Sequence, residues 1–247
     1  MKAIILAAGY ATRLHPLTEN QPKPLLAVGE KPIVEHIIDK INHVEDINEI
    51  FIVTNNKFSP HFESWLSDYQ TKKPIKIIND GTFSNEDRLG AVGDINFVLE
   101  RENINEDLLI VAGDNLFEFS LKDFVKFYQE KKSSALAFYN LKEKSKLANR
   151  FGVGILDENQ KLVDFEEKPA KPKSTLAATC LYTLTKDDVQ RIREYINVSE
   201  RWDNPGDFMI WLSKQNKVYG FTFTERWFDI GSFEALEEAY SVYGKNK

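Results

Sequence analysis

The stretch Ala3-Ile4-Ile5-Leu6-Ala7-Ala8-Gly9-Tyr10-Ala11-Thr12-Arg13-Leu14, followed by Pro22-Lys23-Pro24-Leu25-Leu26, decides how this chain is read. An apolar run that reads as a strand ends at Leu6 and opens into a loop of small residues at 7, 8, 9 and 11. Small residues let a backbone pass close to another group. Arg13 stands at the end of the loop, and Lys23 follows further on. Backbone N–H groups inside and cations at the rim are how a chain cradles a polyphosphate. The alternative is an ordinary strand-to-helix turn with surface charges. Leu6, Ala8, Gly9, Tyr10, Ala11 and Thr12 are the candidate nucleotide-binding residues, with Arg13 and Lys23 as the candidate catalytic cations. The loop lacks Gly-x-x-x-x-Gly-Lys-Ser/Thr and lacks Gly-x-Gly-x-x-Gly, which disfavours a P-loop ATPase and a dinucleotide site.

Outward from this loop, short apolar runs alternate with helical patterns. Strands are predicted at Ala3–Leu6, Ile50–Thr54, Ile75–Ile78, Leu108–Ala112 and Ala135–Tyr139. Ile33, Ile37, Ile41 and Val44 make one helical stripe, and Leu121, Phe124, Val125 and Tyr128 another. The alternation predicts an α/β fold with a mostly parallel sheet flanked by helices. Ligands of such sheets bind at the carboxyl ends of the strands. In the second half, strands are predicted at Gly152–Leu156, Lys161–Phe165, Ala177–Leu184 and around Val218–Phe223, with helices at about 91–102, 185–197, 206–214 and from Ser232. This half reads as a smaller lobe over the sheet. With no Pro-, Gly- or Ser-rich linker, residues 1–247 are one domain: a core over 1–140 and a lobe with a closing segment over 141–247.

With 247 residues and 42% apolar content, the chain has material for one large packed domain. The net charge of −6 argues against general nucleic-acid binding, which calls for a basic stripe. No apolar run approaches a membrane span and no signal peptide opens the chain, so a soluble, cytoplasmic protein is expected. The single cysteine, Cys180, excludes an internal disulfide and is expected to pack as a small hydrophobe. The four histidines lack metal-ligand spacing. Trp202 and Trp211 leave a homo-oligomer contact open, with lobe packing the favoured role.

Two aspartates remain. Asp114 follows an apolar strand beside Gly113, and Asp229 sits between Trp227 and Gly231. Alone, the first reads as a turn residue and the second as a helix cap. Mg²⁺ takes one or two carboxylates plus phosphate oxygens and water, so the two together are a candidate metal pair.

The opening loop, Gly113-Asp114-Asn115, Arg150-Phe151-Gly152-Val153, Glu166-Glu167-Lys168-Pro169 and Trp227-Phe228-Asp229-Ile230-Gly231 occur in one order over nearly the whole chain. Together they resemble the sugar-1-phosphate nucleotidyltransferases, also called nucleotide-sugar pyrophosphorylases, and within them the glucose-1-phosphate thymidylyl- and uridylyltransferases. Ala11 stands where that family carries its second loop glycine. The resemblance implies the nucleotide-diphospho-sugar transferase fold, with a Rossmann-like mixed sheet and a sugar-binding lobe. It implies that a nucleoside triphosphate, dTTP or UTP, reacts with a sugar 1-phosphate. It also implies Mg²⁺ on Asp114 and Asp229, and Lys168 on the incoming phosphate. Sugar contacts are implied at Asn115, Gly152, Glu167 and Thr179, a glycine under the nucleoside at Gly90, and a base reader at Asn85. Two alternatives stand beside it: a cytidylyltransferase acting on phosphocholine or another non-sugar phosphate, and a non-catalytic nucleotide-sugar sensor.

Overall fold

The computed structural model describes residues 1–199 and 202–244. In chain order, β1 (Lys2–Leu6) is followed by the short pair β2 (Ala27–Val28) and β3 (Lys31–Pro32), then α1 (Ile33–Asn42), β4 (Glu49–Thr54), α2 (Ser59–Asp68), β5 (Ile75–Asn79), α3 (Ala91–Arg101) and β6 (Leu108–Ala112). There follow β7 (Asn115–Phe117), α4 (Leu121–Lys131), β8 (Ala135–Asn140), β9 (Val153–Leu156), β10 (Leu162–Glu166) and β11 (Leu176–Leu184). The chain closes with α5 (Lys186–Val198), α6 (Pro205–Gln215), β12 (Tyr219–Phe223), β13 (Trp227–Asp229) and α7 (Phe233–Tyr243).

The main sheet runs β10-β9-β11-β6-β1-β4-β5, and β8 joins β11 to β12. Strands β6, β1, β4 and β5 are mutually parallel, while β11 is antiparallel to β6, β8 and β9. This is the mixed, mostly parallel sheet flanked by helices that the alternation predicts. Its central strands are apolar throughout because both faces are covered. Ala3, Ile5, Ile50, Ile52, Leu109 and Val111 face one core, which takes Ile33, Ile37 and Ile41 of α1 and Phe124 of α4. Ile4, Phe51, Val53, Leu108 and Ile110 face the other, against α3, α5 and α6 through Val92, Ile95, Ile192 and Leu212. The helix starts are fixed locally: Ser120, Thr185, Asn204 and Ser232 each accept a backbone N–H of the turn they open.

Register sets the site. Leu6 pairs with Val53 on one side and Ala112 on the other, so β1, β4 and β6 end at one level. The loops from Ala7 and from Gly113 therefore leave side by side. The sequence reading misses α2, β7, β13 and the β2–β3 pair: α2 carries only Ser59 and Phe62 as buried residues, too sparse a stripe to show a period.

Candidate active site

The signature loop is pinned from below. Ala7 N donates to Val53 O (2.8 Å), Gly113 N donates to Leu6 O (2.8 Å), and Asn55 Nδ2 donates to Ala8 O (2.8 Å). A Cβ on Gly113 would lie 2.8 Å from Leu6 O, so only glycine lets these two loops approach. From Ala8 to Ala11 no backbone N–H finds a partner among the described residues. Unpaired N–H groups of this kind are available to an anion. Ala11 has φ +48°, the left-handed region in which glycine is at ease. The departure at Ala11 thus falls where glycine would have served the backbone. The Thr18 hydroxyl donates to Ala11 O (2.7 Å) and steadies that conformation.

Asp114 and Asp229 converge through a short antiparallel ladder. Strand β13 pairs with β7, Asp229 opposite Asn115, and Ile230 N donates to Asp114 O (3.1 Å). The Trp227 indole donates to Asn115 Oδ1 (2.7 Å), which locks the ladder from the side. Lys23 Nζ donates to Asp114 Oδ2 at 2.8 Å. Surrounding protein and the charge of Asp114 push the Asp229 carboxyl up to about 6, while Lys23, Arg13 and Lys168 act in the opposite direction. All three predicted cations thus lie close enough to act on the same carboxylate. No cluster of three or more His, Cys, Asp or Glu able to hold a metal exists among the described residues. Two hard carboxylates brought together beside the Ala8–Ala11 loop do fit Mg²⁺, which completes its shell with phosphate oxygens and water.

The cleft over this centre is continuous. Its middle, about 350 Å³, is bounded by Leu6, Gly9, Ala11, Lys23, Asp114 and Asp229. One end, about 280 Å³, shares Leu6, Gly9, Ala91 and Asp203 and adds Arg88, Gly90 and Asp94. The other end, about 250 Å³, shares Phe151, Cys180 and Asp229 and adds Gly152, Glu167 and Lys168. There Lys168 Nζ is 3.7 Å from Glu167 Oε1. A Cβ on Gly152 would meet the Phe165 ring at 2.5 Å, and the Gly152 N–H makes no hydrogen bond among the described residues.

Several predicted residues are placed otherwise. Asn85 is exposed and lines no part of the cleft; its carbonyl accepts from Arg88 instead. Tyr10 is buried, its hydroxyl 3.3 Å from Thr82 Oγ1, so its side chain is committed to the protein interior. Thr12 is exposed beside the cleft rather than lining it. Asn115 and Thr179 border the cleft with committed side chains: Asn115 holds the Trp227 indole, and the Thr179 hydroxyl donates to Ala137 O (2.8 Å). Cys180 packs against the second core, as expected of a small hydrophobe, and in a register shift of β11 at φ +55° it also borders the cleft. Burial, then the charges of Asp114 and Asp229, push its thiol up to about 12. Trp211 packs on Tyr195 and Phe208, whereas Trp202 is 40% exposed.

Sequence reasoning misses the Arg88–Asp203 clasp, in which the guanidinium donates through Nε (3.2 Å) and Nη2 (2.9 Å) to one carboxylate. It also misses the buried acids Asp80 and Asp94 beneath that clasp. Acids near a strand end and in a first helical turn give no sequence signal beyond caps and turns.

A family model described as nucleotidyl transferase matches residues 2–246. The bifunctional protein GlmU of Methanocaldococcus jannaschii is 32% identical over 233 residues, 94% of this chain and 51% of that protein. The UTP–glucose-1-phosphate uridylyltransferase AglF of Haloferax volcanii is 31% identical over 185 residues, 75% of this chain and 72% of that protein. The chain spans about half the length of the GlmU relatives it matches. A UDP-glucose pyrophosphorylase crystallised with UDP-glucose superposes with a TM-score of 0.83 at 22% identity, over 100% of this chain and 99% of that one, a likeness of fold. No described helix is long and apolar enough to cross a membrane.

Proposed function

This chain belongs to the nucleotidyl transferase family, and from that premise we propose that it transfers a nucleotidyl group from dTTP or UTP to a sugar 1-phosphate, with Mg²⁺, releasing pyrophosphate. The observation that carries this reading is the convergence of Lys23, Asp114 and Asp229 beside the unpaired N–H groups of the Ala8–Ala11 loop. The name of AglF supports UTP and a hexose 1-phosphate as the pair to try first.

A sugar-phosphate oxygen attacks the α-phosphorus in line, the new P–O bond forms, the bond to the β-phosphate oxygen breaks, and pyrophosphate leaves with that electron pair. The nucleophile is already an anion, so no general base is required. The obstacle is repulsion between anions, and the chain's task is to position and neutralise them. The Ala8–Ala11 amides hold the triphosphate, and Arg13 receives the departing pyrophosphate. Lys23 exchanges Asp114 for the α-phosphate as charge builds there. Lys168 holds the incoming phosphate. Glu167 and the free Gly152 N–H take sugar hydroxyls. Asp114 and Asp229 would hold Mg²⁺, which when bound supplies charge neutralisation between the two phosphates.

The test is pyrophosphate release with Mg²⁺, crossing dTTP, UTP, CTP, GTP and ATP against glucose 1-phosphate, other sugar 1-phosphates and phosphocholine. Release with UTP or dTTP and one sugar phosphate is expected. Release only with CTP and phosphocholine would replace the acceptor. A folded protein that binds nucleotide and releases nothing would be a sensor.

A further inference from the structure

We propose that Asp94 selects the nucleobase, its carboxyl offering a single acceptor to the N–H of a uracil or thymine ring between two flanking donors, Arg88 and the Ala91 backbone N–H. This rests on the transfer reading only for which end of the cleft takes the base.

The acid is buried, 7% exposed, on the first turn of α3, and it borders the cleft end that begins at Leu6 and Gly9 of the phosphate loop. Beside it lies Asp80, also 7% exposed, whose Oδ1 accepts from both Thr82 N (2.7 Å) and Thr82 Oγ1 (2.8 Å). That leaves Asp80 Oδ2 and Asp94 Oδ1 as buried oxygens without a hydrogen-bond partner among the described residues. Two carboxylates cannot satisfy each other, but one proton between them satisfies both oxygens. Burial, and then Asp80, push Asp94 up to about 8, so Asp94 carries that proton at neutral pH. Its other oxygen is then an uncharged acceptor.

Two donors belong to the same end. Arg88 is held by Asp203 through Nε and Nη2 and by Asn85 O through Nη1, so its fork is fixed with N–H bonds to spare. Helix α3 opens on Gly90 with no side-chain cap, and the Ala91 N–H has no partner among the described residues. A Cβ on Gly90, at φ +77°, would lie 2.7 Å from Asp203 Oδ1 and 2.9 Å from Trp202 O, so a glycine there lets the segment that carries Asp203 close on the start of α3.

Donor, acceptor, donor is the complement of an imide edge, which presents acceptor, N–H, acceptor. Cytosine offers donor, acceptor, acceptor. Guanine offers two adjacent donors and is best met by an ionised carboxylate with both oxygens free. Asp94 has neither the charge nor the second free oxygen. A site that leaves a buried polar group unpaired rejects the wrong ligand strongly.

The experiment is direct binding of UTP, dTTP, CTP and GTP by titration calorimetry to the wild type, Asp94→Asn and Asp94→Ala, each checked for folding by its thermal transition. The wild type is expected to bind UTP and dTTP about ten-fold or more tighter than CTP and GTP. Asp94→Asn, whose amide donates to Asp80 and keeps its oxygen for the base, retains the preference. Asp94→Ala brings the four within about three-fold. A wild type that prefers CTP or GTP overturns the inference without recourse to any variant. So does Asp94→Ala with an unchanged preference. The expected ratios with no pyrophosphate release would sink the transfer reading and leave base selection standing; no nucleotide binding by folded wild type would sink both.

Discussion

Lys23 and Asp94 are two ionisable side chains in one cleft with opposite problems. Lys23 already has a partner, Asp114, and under the proposed transfer it leaves that partner for a phosphate. If it stabilises charge that forms only during transfer, its loss falls on turnover. Lys23→Ala is expected to lower kcat by about 100- to 1000-fold, by analogy with single oxyanion donors, and to change KM far less. Steady-state kinetics with saturating Mg²⁺ checks this; an unchanged kcat would remove Lys23 from the chemistry. Among the described residues Asp94 has no cation partner, only Asp80, the charge of Asp203 further off and Arg88 turned toward Asp203. Its folded pKa of about 8 lies far above the ordinary 3.8. Below the lower value both states are protonated and the group costs nothing. Between the two values the unfolded chain releases the proton and the folded protein keeps it, so stability falls as pH rises, and the loss is complete above about 8. Asp94→Asn removes this titration. Its Tm relative to wild type is expected to climb from pH 4 to pH 9, and a difference independent of pH would count against the buried shared proton.

At the level of elements, the β7–β13 ladder is the part that makes a site from two distant aspartates. It is three pairs long, and such a short ribbon is marginal alone. The Trp227 indole on Asn115 Oδ1 braces it at the cleft. Asn115→Ala leaves a half-buried indole N–H without its acceptor, at a cost of about 1–3 kcal/mol. It also lets Asp229 drift from Asp114. A lower Tm together with a weakened Mg²⁺ dependence of activity is expected. If Asn115→Ala keeps the wild-type Mg²⁺ titration, the brace is not what positions the pair. The resemblance implies a sugar contact at Asn115, and its side-chain oxygen is occupied by the Trp227 indole. Asn85 likewise reads as a base reader, and its loop turns it to solvent while Arg88 and Asp94 reach the cleft.

Over the whole molecule, one sheet runs from β5 through β1 and β6 into β11, β9 and β10, so the core over 1–140 and the segment over 141–247 share strands pairing edge to edge. Both large cores contain residues of each part, such as Phe223 beside Phe119 and Leu184 beside Leu108. Neither part has a sealed core of its own. A single calorimetric transition with equal van't Hoff and calorimetric enthalpies is therefore expected. Two resolved transitions would show that the second part folds independently.

The amino-acid sequence by itself determined the parallel core, because strands buried on both faces must be apolar throughout, as Ala3–Leu6 and Leu108–Ala112 are. It determined the loop of small residues after β1 and the cation that follows it, because such a loop is local chemistry. Four helix starts, at Ser120, Thr185, Asn204 and Ser232, rest on caps that act within a few residues of themselves. The tertiary structure alone decided that Asp229 stands by Asp114, that Arg88 closes on Asp203, and that Asp80 and Asp94 are buried together. These are contacts between distant segments, fixed by strand register and by which loops leave the sheet at one level. Charge and burial at such sites depend on neighbours that no local spacing records.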